Sequence, residues 1–157
     1  MITPVSSTNE LTRLAARIRL HAARMVGIQG FGYLGQALSA GDIYAALFGS
    51  GILRPGHDRF VLSPGHYAVV FYAVAAELGL ISQDELTRYG LDGALLEAIS
   101  TERTPLIDIA CGSLGQGLSG AIGLALASRF ANDDRRTFAF VSDGEMEEGQ
   151  VWEAAMF

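Results

Sequence analysis

A chain of 157 residues, half of them hydrophobic, suits one domain and can bury a sizeable core, which excludes a disordered chain. Seventeen Asp and Glu outweigh eleven basic residues for a formal charge of −6, and no basic cluster exists beyond Arg135-Arg136, which argues against a nucleic-acid surface. One cysteine, Cys111, excludes an internal disulfide, and no signal peptide or apolar run of membrane length is visible, so a soluble cytoplasmic protein with no membrane partner is expected.

Residues 8–26 carry Leu11, Leu14, Ala15, Ile18 and Ala22 at helical spacing, with Arg13, Arg17 and Arg24 off that stripe. The pattern predicts one amphipathic helix with N-cap candidates in Ser6-Ser7-Thr8-Asn9, a solvated arginine face, and a packed or solvated His21. Gly27 to Gly41 is glycine-rich around Phe31, Tyr33 and Leu34 and reads as a loop that brings backbone close to a neighbour. Asp42 to Phe48 reads as a short helix, followed by the breakers Gly49-Ser50-Gly51 and Pro55-Gly56-His57, with His57 exposed.

Phe60-Val61-Leu62 is a candidate buried strand, and Ser63-Pro64-Gly65-His66 follows it at once. That order sets the His66 imidazole at the carboxyl edge of a sheet, ahead of a helix expected over Tyr67 to Leu80. Ser82-Gln83-Asp84-Glu85 is a capping box for a short helix ending near Gly90. Gly112-Ser113-Leu114-Gly115-Gln116-Gly117-Leu118-Ser119 then opens a mostly apolar helix, expected to be buried and, through its small residues, to pack closely on a sheet or on a symmetry mate. Cys111 before it reads as an inert packed residue. No internal repeat or interdomain linker is visible.

Phe138-Ala139-Phe140-Val141 reads as a buried strand with Asp143-Gly144 at its carboxyl end and an acidic stretch leading into a helix. Open α/β sheets bind ligands at that end. An aspartate there ligates Mg²⁺, an adjacent glycine lets a phosphate reach the backbone, and a helix amino terminus favours negative charge. The residues alone therefore point to a metal-diphosphate site. Gly115, Gly117 and Gly120 also satisfy a dinucleotide-binding fingerprint, with Asp143 as its acidic partner. That reading leaves Ser63 to His66 and the run from Glu148 to Ala155 unexplained.

The run from Asp143 to Ala154, with the glycine motif upstream, resembles the amino-terminal, diphosphate-binding part of transketolases. The family reads G-D-G-E-x-x-E-G-Q-x-W-E-A at the first and G-[SP]-L-G-Q-G-L at the second, and only Ser142 departs within these cores. The resemblance implies an α/β fold, a three-layer parallel sheet with helices on both faces, of the thiamine-diphosphate-binding kind. It implies that Asp143 ligates Mg²⁺ or Ca²⁺, that Gly144 gives its backbone to the diphosphate, and that Gly112, Ser113 and Leu114 contact the cofactor near its aminopyrimidine. His66 matches the histidine of the family's S-x-G-H motif, which lies over the cofactor near the substrate. Glu148 and Glu153 match glutamates at the dimer interface. The carboxylates Glu145 and Glu147 are expected as solvated first-turn acids, and Trp152 as a buried interface anchor.

The expected function is transfer of a two-carbon ketol unit from a ketose to an aldehyde. The family's metal motif continues past its Asp-Gly to an asparagine that completes the metal shell, and its pyrimidine-binding domain lies further on. Residues 1–157 thus read as a diphosphate-binding domain incomplete at its carboxyl end, either the first part of a longer protein or one subunit of a split enzyme, expected as a heterotetramer, whose partner polypeptide carries the pyrimidine domain. Two departures bear on substrate choice. Aligning on Leu38-Ser39-Ala40 puts Tyr33 where the family has a substrate-facing histidine, and Ala98 to Glu102 replaces a G-H-P segment. An unusual sugar or aldehyde acceptor is therefore expected. The alternatives are a deoxyxylulose-phosphate synthase-like or two-oxoacid dehydrogenase-like component, a nicotinamide-dinucleotide-binding domain, and a non-catalytic partner subunit.

Overall fold

A computed structural model describes Val5 and residues 7–157; Ser6, one of the N-cap candidates, lies outside the described residues. The chain divides into two compact units, one made of residues up to Arg54 with His66–Ile99, the other of Pro55–Gly65 with Ser100–Phe157.

The first unit is helical. Helix α1 (Thr8–Gln29) starts at Ser7, whose hydroxyl accepts the Glu10 N–H at 3.3 Å and donates to the Glu10 carboxylate at 2.6 Å. It ends at Gly30, which takes a left-handed φ of 72° and donates its N–H to the Val26 carbonyl. Leu14, Ala15, Ile18 and Ala22 are buried as the spacing predicts, joined by Met25, while Leu11 is half-buried. The off-stripe Arg17 reaches Glu77 at 2.8 Å, and the same carboxylate takes His21 Nε2 at 2.9 Å, so His21 is a packed, paired residue.

The glycine-rich stretch differs from expectation. Only Gly30 to Tyr33 is irregular: Gly27 to Gln29 ends α1, and helix α2 (Leu34–Gly49) absorbs the rest together with the short helix expected over Asp42 to Phe48. Its small residues serve helix packing instead of loop freedom. A Cβ at Gly49 would lie 2.6 Å from Leu14 Cδ2, and one at Gly41 would lie 3.0 Å from Arg19 Nε, so both glycines are where α1 approaches. Arg19 seals that approach, donating to the Leu38 carbonyl and both oxygens of Asp42, which holds the Asp42 carboxyl below its ordinary range.

A single 3₁₀ turn over Gly65–Tyr67 precedes helix α3 (Ala68–Glu77). Residues 68–75 are all buried, as befits a helix that is apolar on every side. Helix α4 (Gln83–Thr87) begins as its capping box predicts, with the Glu85 N–H donated to Ser82 Oγ at 3.2 Å.

In the second unit, strands β1 (Arg59–Leu62) and β2 (Thr137–Phe140) pair in parallel, Arg59 opposite Thr137 and Leu62 opposite Phe140. A parallel pair needs a long crossover, and helix α5 (Gln116–Phe130) lies within it and packs on both strands. Val61, Cys111 and Ala121 are buried together, with Ile109, Leu124 and Ala139 against them. Buried Asp58 ties the strand entrances together, accepting the Arg136 backbone N–H at 3.1 Å and its guanidinium at 2.8 Å. Helix α6 (Gly149–Met156) packs on α5.

Two expectations of burial are corrected here. Every residue of β2 is only half-buried, and α5 buries only Gly117 and Ala121 despite its apolar sequence. Among the described residues the sheet has two strands, so β2 pairs along one edge only, and its residues stay half-buried.

Candidate functional site

The carboxyl ends of the two strands organise the second unit. At the end of β1, the Ser63 N–H continues the ladder to the Phe140 carbonyl at 3.1 Å. Beyond β2, Val141 and Ser142 lead to Asp143 and Gly144, both exposed. The helix expected straight after Gly144 is delayed by a 3₁₀ turn over Gly144–Glu147, and α6 starts only at Gly149.

Asp143 makes no side-chain capping bond, which leaves its carboxylate available at the strand end. A Cβ placed on Gly144 would meet no heavy atom within 4 Å, so the backbone there is open to a ligand. Gly112 and Ser113 are exposed and Leu114 is half-buried in the turn before α5. Gly115 closes that turn with φ +87°, and a Cβ on it would lie 3.0 Å from Glu148 Cβ. These features fit a metal-bound diphosphate: one hard oxygen donor, an open glycine backbone, and a glycine turn in the same unit. The described residues contain no cluster of three or more His, Cys, Asp or Glu able to hold a metal ion, so Asp143 could offer one ligand and not a shell.

Glu145 corrects the sequence reading. Expected as a solvated acid, it is fully buried, and its Oε1 accepts the Ser63 hydroxyl at 2.6 Å and the Gly115 N–H at 2.8 Å. The local pattern gave no sign of this, because its partners lie 82 and 30 residues away in sequence. Burial, with Glu145 nearby, pushes the Cys111 thiol up, and the side chain is buried as a packed residue.

Glu148 and Glu153 are both exposed, as an interface role requires. Glu153 borders a shallow, mostly apolar groove with Ile122, Leu126, Ala154 and Phe157. Trp152, expected as a buried anchor, is 55% exposed and donates its indole N–H to the Met146 carbonyl at 2.8 Å.

The first unit brings Tyr33 and His66 together. Their rings are 5.4 Å apart at 56°, and His66 lies 5.0 Å from the Tyr67 ring on its other side in sequence. Phe31 anchors the segment that carries Tyr33, stacking on Tyr89 at 5.4 Å and lying against Gly90, where no Cβ would fit. Tyr33 is 44% exposed, so its hydroxyl is available to a ligand while its ring packs on the imidazole.

The dinucleotide fingerprint lacks its structural context, since the residues before the glycine turn, from 101 to 112, form no strand. Comparison with known proteins points elsewhere. Residues 11–157 match the family described as "Transketolase, thiamine diphosphate binding domain". The chain is 44% identical over 154 residues to an uncharacterized transketolase family protein of Sinorhizobium fredii, covering 93% of this chain and 55% of that protein. It is 36% identical over 151 residues to the transketolase of Homo sapiens, covering 91% of this chain and 24% of that one. Among solved structures, the transketolase of Campylobacter jejuni is similar over 95% of this chain and 26% of its own, with a TM-score of 0.86 and 25% identity. The transketolase of Pichia stipitis in complex with sedoheptulose-7-phosphate is similar over 92% and 24%, with a TM-score of 0.84 and 26% identity. The chain thus spans about half the length of the first relative and about a quarter of the others.

Proposed function

Because the chain belongs to the transketolase family through its thiamine diphosphate binding domain, we propose that it is the diphosphate-binding component of an enzyme that moves a two-carbon ketol unit from a ketose to an aldehyde. The observation that carries this reading is the exposed, uncapped Asp143 followed by an open Gly144 at the carboxyl end of a parallel strand. Asp143 would hold Mg²⁺, or Ca²⁺ in its place, and Gly144 would offer its backbone to the diphosphate. Gly112, Ser113 and Leu114 would border the cofactor on the side of its aminopyrimidine. When bound, thiamine diphosphate supplies the electron sink that ketol transfer needs.

The protein's own part is binding and orientation. His66 would donate a hydrogen bond to the cofactor or to the donor oxygen, where charge would build as the carbon–carbon bond breaks. Tyr33, packed on His66, offers a neutral hydroxyl where relatives offer an imidazole, which favours acceptors without a demand for a cationic contact. Asp143 would be one ligand of a metal that takes six oxygens; diphosphate oxygens and water would fill part of that shell, and the remaining protein ligands and the pyrimidine-binding domain would come from further polypeptide. We assign that polypeptide to a partner subunit joined through the Glu148 and Glu153 region in a cytoplasmic heterotetramer.

Transfer assays on the assembled protein with thiamine diphosphate and Mg²⁺ test this reading. A ketose donor should pass two carbons to an aldehyde, with no carbon dioxide released from pyruvate and with no advantage for phosphorylated over unphosphorylated acceptors. Release of carbon dioxide from pyruvate would place the chain among decarboxylating enzymes instead, and clear preference for phosphorylated sugars would remove the role given to Tyr33.

A further inference from the structure

Glu145 stands between two exposed residues, Gly144 and Met146, yet its own exposure is 0%. Burying a carboxylate costs several kcal/mol unless donors compensate it. No Lys or Arg is paired with this one among the described residues. Partial compensation comes from the Ser63 hydroxyl and the Gly115 N–H, both given to the same oxygen, Oε1, while Oε2 is buried with no hydrogen-bond partner. Gly115 is also the N-cap of α5, so the acid rests at the positive end of a fifteen-residue helix. Its backbone is fixed as well, the Glu145 N–H reaching Ser142 Oγ at 3.3 Å.

The two donors are not interchangeable surface groups. Ser63 is fully buried, follows β1 directly, and lies where Gly117 of α5 makes its closest approach. Gly115 closes the turn that presents Gly112, Ser113 and Leu114, and its N–H belongs to the peptide that joins it to Leu114. One oxygen therefore ties three segments: the end of β1, the glycine turn, and the Asp143-Gly144 corner. Each carries one of the sequence motifs.

We infer that Glu145 is a positioning residue that fixes the turn from Gly112 to Gly115 relative to Asp143 and Gly144, so that both are set before the diphosphate arrives. This rests on the functional reading above. Glu145 is fully buried beside the exposed Asp143-Gly144 corner, so its effect passes through the Gly115 amide. A turn released from this tie must be ordered at the moment of binding, which weakens affinity without removing any contact to the cofactor.

The chemistry separates a positioning role from simple filling of space. Glutamine keeps an Oε1 able to accept both bonds, whereas alanine keeps neither. In the full assembly, Glu145→Ala is expected to weaken thiamine diphosphate binding, measured by calorimetry with Mg²⁺ present, by on the order of 10- to 100-fold. Glu145→Gln should stay within about 5-fold of the parent, as a retained hydrogen-bond geometry implies. Hydrogen exchange of the peptide spanning 112–117, measured without cofactor, should quicken in the alanine variant alone, while β1 and β2 stay protected. Equal binding by the alanine variant and the parent, or equal loss in both variants, overturns the inference. If Glu145→Ala does not fold, Ser63→Ala removes one tie and should give a several-fold weakening; parent-like binding there overturns the inference too. Should the parent itself bind no thiamine diphosphate, the functional reading fails, and the exchange measurement still decides whether Glu145 orders the turn.

Discussion

Asp143→Asn is expected to weaken Mg²⁺-dependent binding of thiamine diphosphate by on the order of 100-fold or more, since loss of a direct ligand exceeds the cost of losing its supporting partners. The structure isolates this effect from folding. The Asp143 carboxylate is exposed and makes no capping bond, and the residue's structural tie, its carbonyl accepting the Met146 N–H at 3.1 Å, is a main-chain bond that asparagine preserves. Thermal unfolding without cofactor should therefore be unchanged, while the rise in melting temperature on adding cofactor and Mg²⁺ should vanish. The chain's single tryptophan, Trp152, lies on the helix that follows the corner and gives a fluorescence signal for the titration. Affinity equal to the parent's would show that the metal is held elsewhere.

Gly117→Ala is expected to destabilise the protein by about 3 kcal/mol, the upper end of overpacking costs. A Cβ at this position would lie 2.6 Å from Ser63 Cα and 2.5 Å from Ser63 Cβ, beside its hydroxyl. Two of these neighbours cannot swing away: the Cα belongs to the backbone that extends β1, and the side chain is held by Glu145 at 2.6 Å. Relief would require α5 to move off the strand end, taking the turn before it along. Gly123 on the same helix is the control, because nothing lies within 4 Å of a Cβ there. Gly123→Ala should be neutral or stabilising by about 0.5–1 kcal/mol, the ordinary gain of alanine over glycine in a helix. Chemical denaturation of both variants checks the pair. A Gly117→Ala cost no larger than that of Gly123→Ala would mean that α5 does not approach Ser63 as described.

These two sites also mark what could be read in the sequence. Asp143 and Gly144 were legible because an aspartate and glycine after an apolar run have one structural setting, the carboxyl end of a strand, and the structure has them just beyond β2. Helix α1 and the capping box at Ser82 were legible for the same reason, since their determinants lie within one or two turns of chain. The glycines of α2 were misread. Glycine marks a loop when judged locally, but Gly41 and Gly49 are required by a neighbouring helix, and that neighbour is not visible in a sequence window.

Glu145 failed for a related reason. Its spacing among Glu147 and Glu148 resembles a solvated acidic turn, while its true environment is set by Ser63 and Gly115, which the fold brings in from distant positions. Helix α5 and strand β2 show the converse error. Their apolar sequences announce burial on every side, whereas among the described residues β2 is only half-buried and α5 buries just Gly117 and Ala121. Apolar pattern reports that a face is to be covered, and says nothing of which polypeptide covers it.

The most direct test of the account is a calorimetric titration of the assembled protein with thiamine diphosphate, carried out with Mg²⁺ and again with the metal chelated. The account predicts saturable binding that depends on the metal and disappears in the Asp143→Asn variant. Binding that is indifferent to Mg²⁺, or no binding by an intact and folded assembly, would contradict it.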